Sequence, residues 1–92
     1  MTLSVDPTWG IIAGYQVSST NSADSTIVCT LSAEFDGLWE DVKENRVRGG
    51  WIQADGVPLT GIQPSAQVKL TATYFDSLGG VTDTEYLTLI VP

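Results

Sequence analysis

The stretch TIVCTLSAEFDGLWEDV, Thr26 to Val42, holds the only cysteine of the chain, Cys29, inside a two-residue repeat. Ile27, Cys29, Leu31, Ala33 and Phe35 alternate with Val28, Thr30, Ser32 and Glu34. A period of two places the first group on one face of a strand, whereas a helix would scatter it around its axis. Asp36-Gly37 reads as the tight turn that ends this strand and leads into another around Leu38 to Val42. Cys29 is thereby one member of an apolar row before it is a chemical handle.

Working outward, the same alternation recurs. Trp9, Ile11, Ala13, Tyr15 and Val17 form a second row, in which Gly10 and Gly14 permit a bulge or bend. Val68, Leu70, Ala72 and Tyr74 alternate with Lys69, Thr71 and Thr73, and the last segment, Glu85 to Val91, sets Leu87, Leu89 and Val91 on one face. Between these two lies DSLGGV, Asp76 to Val81, whose paired glycines suit turn dihedrals, so the pair reads as a hairpin. The middle is less regular. Glu44-Asn45 is expected to turn the chain before Arg46 to Arg48, and Ala54-Asp55-Gly56 is a further turn candidate. At most one helical turn is expected, near Ile62 to Ala66. Six or seven short strands separated by Gly, Pro, Asn and Asp are best accommodated by an antiparallel β-sandwich, in which two apolar faces cover each other. Glu40, Asp41, Lys43, Arg46 and Arg48 are placed to protect a sheet edge from pairing with another chain.

Ninety-two residues suffice for one domain, read here as residues 1–92, and a 42% apolar composition with eight aromatic residues supplies its core. Eleven acidic against four basic residues give a net charge of −7, a field that disfavours nucleic acid and anionic membrane as partners. Lys43, Arg46 and Arg48 are too few to form a phosphate-binding surface. No apolar run is long enough to span a bilayer, and no signal peptide is legible, so a cytosolic protein and a piece of a longer exported chain both fit.

With one cysteine and no histidine, the chain can form neither an internal disulfide nor a Cys–His pair or Cys/His zinc site. Nucleophilic catalysis by Cys29 is opposed by its place on an apolar face, where desolvation favours the neutral thiol. An intermolecular disulfide would need a poorly covered strand. Among the acidic residues, Asp36, Glu40 and Asp41 are close in sequence, as are Asp76, Asp83 and Glu85, but a solvated acidic face explains them more simply than paired-acid hydrolysis. No cofactor is expected. Calcium is the one metal whose oxygen chemistry these residues suit, with Asp76 and Asp83 as candidate ligands, although DSLGGVTD lacks the donor spacing of an EF-hand.

Three segments taken in order, STIVCTLSAEFDGLWEDV (Ser25 to Val42), IQADGVPLTGI (Ile52 to Ile62) and VKLTATYFDSLGGVTDTEYLTLIV (Val68 to Val91), make the chain resemble the bacterial immunoglobulin-like domains of group 2 and their relatives. The resemblance implies an Ig-like sandwich of about seven strands. It also implies a noncatalytic spacer, display or adhesion module at a cell surface, in an extracellular protein or on a phage particle, with neighbouring domains of the same chain as partners. It carries over no catalytic residue. The chain departs from the pattern between Val42 and Trp51, and it has no second cysteine for an antibody-type disulfide. Trp39 and Trp51 compete for the central packing position of such a sandwich. Facing solvent instead, they would form a glycan or protein-binding surface. A carbohydrate-binding module is thus the first alternative function, and a calcium-stabilised adhesion domain the second.

Overall fold

The computed structural model describes residues 1–7, 11–18, 26–49 and 51–92. Its seven strands are β1 (Thr2–Asp6), β2 (Ile12–Ser18), β3 (Thr26–Phe35), β4 (Leu38–Arg48), β5 (Trp51–Pro58), β6 (Gln67–Phe75) and β7 (Val81–Ile90). They form two antiparallel sheets, ordered β1-β2-β5 and β4-β3-β6-β7. This is the expected antiparallel β-sandwich, with β4 beside β3 in the larger sheet.

The period-two rows meet between the sheets. Ile27, Cys29, Leu31 and Ala33 of β3 are fully buried, as are Val68, Leu70 and Ala72 of β6. Ala13, Tyr15 and Val17 of β2 cover them from the other sheet and join the same core cluster. Burial of each large aliphatic side chain contributes roughly 1.5–3 kcal/mol, so this central row, with Ile52, Val57, Leu59, Ile62 and Val91 around it, supplies much of the cohesion of the fold. Trp9 and Gly10, the start of the predicted β2 row, lie outside the described residues.

Strand register explains where the interior ends. On β3 the odd residues point inward, and the ladder sets them against Val47, Asn45 and Lys43 of β4 and against Tyr74, Ala72 and Leu70 of β6. The even residues share the outer face of the larger sheet with Arg46, Glu44 and Asp41 on one side and Thr73, Thr71 and Lys69 on the other. β4 and β7 are its two edges.

Several local expectations change. Glu44-Asn45 is no turn, because β4 runs unbroken from Leu38 to Arg48 with Glu44 and Asn45 paired to Thr30 and Cys29. Pairing along β3 outweighs the turn preference of Asn45. Ala54-Asp55-Gly56 also lies within a strand. Ala13 pairs with Val57 and Tyr15 with Ala54, so Gly14 stands opposite both Asp55 and Gly56. The extra residue makes a β-bulge, with Gly56 at φ 70°, which glycine adopts at little cost. The bulge or bend that Gly14 permits and the turn expected at Gly56 are one feature, a bulge. Ile62 to Ala66 forms no helix; two reverse turns fill the segment, with Ile62 N–H donating to the Leu59 carbonyl (3.1 Å) and Ala66 N–H to that of Gln63 (3.2 Å). Pro64 biases Gln63 away from helical dihedrals. β1 was not expected from the sequence.

The strands lie along the longest of three dimensions, 40 × 23 × 15 Å between Cα atoms. Thr2 pairs with Gln16 near the end of β2, whose Ser18 pairs with Trp51. The chain thus starts at the pole where Arg48, Thr26 and Phe75 are aligned across the larger sheet. β7 ends at the other pole, where Ile90 pairs with Gln67.

Candidate functional site

Cys29 sits at the centre of β3, between Asn45 of β4 and Ala72 of β6. It is a free, buried thiol with no exposed surface. Burial pushes its pKa up to about 11, because a thiolate there would lose its hydration. The same burial raises the Tyr15 hydroxyl to about 12, with a smaller contribution from the neighbouring thiol. Cys29 acts as an apolar side chain in this setting, as its row predicts.

The polar groups that penetrate the interior tie strands together. Tyr15 of β2 donates its hydroxyl proton to Asn45 Oδ1 of β4 at 2.7 Å, a bond that joins the two sheets. Tyr74 of β6 donates to Glu85 Oε1 of β7. Its pKa is raised, first by burial and then by that hydrogen bond and the charge of Glu85. Ser32, buried on the outer face, donates to Asp41 Oδ1 at 2.8 Å beside the extra residue Val42 on β4.

The two candidate metal ligands have separate local duties. Asp76 closes the β6–β7 turn: its Oδ1 accepts the amides of Leu78 (2.9 Å) and Gly80 (2.8 Å), while its own N–H donates to the Gly80 carbonyl. Asp83, opposite Tyr74 on β7, accepts the Thr84 amide at 2.8 Å. Among the described residues, no three His, Cys, Asp or Glu side chains are grouped as metal ligands would be. Asp76 also lines an open cleft of about 480 Å³ with Arg46, Arg48 and Phe75.

Neither candidate tryptophan takes the central packing position. Trp39 is 43% exposed and Trp51 56% exposed, and among the described residues the core is filled instead by aliphatic side chains with Cys29, Tyr15 and Tyr74. Exposure alone does not make a shared platform. Trp39 opposes Glu34 beside the β3–β4 turn, whereas Trp51 opposes Ser18 on the other sheet and at the other pole. The nine residue steps from Trp39 to Arg48 cover about 30 Å of strand. Lys69 Nζ lies 4.8 Å from the centre of the Trp39 ring, so this indole faces a cation across β3. The structure does not bring the two indoles together on one groove.

The sequence reading missed the character of β7. Of its ten residues, only Leu89 is partly covered and the rest are exposed. Its inward Leu87 and Leu89 were legible from period two. Their incomplete cover was not, because that depends on how far the short strand β1 extends over the larger sheet.

No family model, no curated protein and no solved structure matches the chain. The sheet order and the packing therefore define its class, an antiparallel β-sandwich whose described residues form seven strands.

Proposed function

We propose that this chain is a noncatalytic structural spacer or display module of the bacterial Ig-like kind, working between neighbouring domains of an extracellular, envelope or phage-associated protein. One observation carries the mechanical part of this reading: the chain enters at one pole of the sandwich and leaves at the other. Tension applied through the two ends runs along the strands. It loads the β1–β2 and β6–β7 ladders in shear, where many hydrogen bonds share the force, and does not unzip them one at a time. The resemblance carried by Ser25 to Val42 and Val68 to Val91 supports the family and the setting.

The polar interior groups fit the same reading, since Tyr15 and Tyr74 spend their hydroxyls on holding strands to one another. A direct test inserts the chain between two folded fluorescent domains and measures their separation by energy transfer and small-angle scattering. A spacer keeps its partners apart by about the 40 Å length of the fold, without change as denaturant rises until the sandwich melts. A separation that varies continuously with denaturant would contradict the reading.

A further inference from the structure

The two edges of the larger sheet are built differently. β4 carries Glu40, Asp41, Lys43, Glu44, Arg46 and Arg48, and its ladder is interrupted by the extra residue Val42. Mixed charge and a bulge are standard protections against edge pairing. β7 has neither along Tyr86–Ile90: this run has no charge, proline or register shift, and it pairs residue for residue with β6 from Gln67 to Thr71. Tyr86 and Ile90 are 68% and 62% exposed, and Leu87 is 38% exposed despite pointing inward. An edge strand presents unpaired backbone donors and acceptors, so the unprotected half of β7 is a template for another strand.

Charge selects what would add there. Three of the four basic residues, Lys43, Arg46 and Arg48, are on β4, the far edge. β7 itself has Asp83 and Glu85, set against the uncharged Tyr74 and Ala72, and the fourth basic residue, Lys69, pairs further along with Thr88. A second copy would bring another net charge of −7 to this acidic edge. We infer that β7 is a strand-addition site for an extended peptide segment of a partner, with alternating apolar residues along Tyr86–Ile90 and basic residues beside Asp83 and Glu85. The site goes beyond the spacer reading and does not depend on it.

The probe is the peptide acetyl-Thr-Val-Thr-Val-Thr-Lys-Thr-Lys-amide, which in antiparallel register sets its lysines opposite Glu85 and Asp83, together with its reversed sequence for parallel addition. Titration monitored by amide resonances should shift β7 and leave β4 unmoved. Backbone N-methylation at alternate residues should abolish binding of the better peptide in one phase and spare it in the other, since only one edge of an added strand bonds to β7. The double variant D83N/E85Q keeps the acceptor for Tyr74 and should weaken binding by about tenfold, as should replacing both peptide lysines by glutamate. Equal effects of the two methylation phases, shifts centred on β4, or no binding by either peptide would overturn the proposal. Sedimentation of the protein alone should give a monomer; a dimer abolished by Leu87→Lys would assign the edge to a second copy and overturn it as well.

Discussion

At the scale of the residue, Cys29 shows how position governs chemistry. Its neighbours Ile27 and Leu31 share its inward face and are as fully buried as it is. In the folded protein the thiol should react slowly with a soluble disulfide reagent, and after unfolding rapidly; fast native labelling without global opening would contradict its burial. The raised pKa has a consequence for stability. A group that resists ionisation in the fold contributes its full stabilisation below its unfolded value, 9.0, and loses it as pH rises toward the folded value of about 11. A shift of this size is worth about 2–3 kcal/mol. Denaturant titrations should therefore show the stability difference between the wild type and Cys29→Ala to be flat below pH 9 and to shrink between pH 9 and 11. The comparison cancels the burial-driven part of the alkaline titration of Tyr15 and Tyr74, which both proteins share, and leaves the smaller part that comes from the thiol itself. Tyr15→Phe removes the bond to Asn45 and should cost about 0.5–1.5 kcal/mol in urea unfolding, without a change in denaturant slope.

At the scale of the element, alternation was legible wherever one face of a strand is buried and the other is not. β2, β3 and β6 follow this rule, and their inward residues can be named from sequence. β4 breaks it because it is an edge whose two faces are both largely exposed, so its charged run hides a continuous strand behind turn-forming residues. The bulge of β5 was read as a turn for a related reason: Asp-Gly supplies the same left-handed dihedral to both, and only the partner strand decides between them. Gly56→Ala should therefore destabilise the fold by about 1–2 kcal/mol through backbone strain, although nothing lies within 4 Å of the added methyl. The candidate metal and aromatic residues could be listed from the sequence but not grouped. Trp39 and Trp51 are 12 positions apart, yet a crossover between sheets and nearly the whole length of β4 separate them. Asp76 is committed to the amides of its own turn, so Asp76→Ala should loosen the β6–β7 hairpin, lowering the thermal midpoint and speeding amide exchange at Leu78 and Gly80. Millimolar calcium should leave the wild-type midpoint unchanged, and a calcium-specific rise would restore the metal reading.

At the scale of the whole molecule, topology turns strand pairing into a direction of strength. β1 and β7, the strands nearest the two ends of the chain, belong to different sheets and run along the long axis, with the start of β1 and the end of β7 at opposite poles. Force through the chain ends must slide each past its neighbour. Force applied at one pole, between Met1 and the exposed Leu78 of the β6–β7 turn, would instead peel β1 sideways from β2. Single-molecule pulling in these two geometries tests the spacer account most directly. Pulling between Met1 and Pro92 should give one cooperative rupture, at a force clearly above that needed between Met1 and Leu78, followed by a lengthening of about 280 Å as 92 residues extend from a 40 Å fold. Rupture at the same or lower force through the chain ends, or gradual extension without a peak, would contradict it.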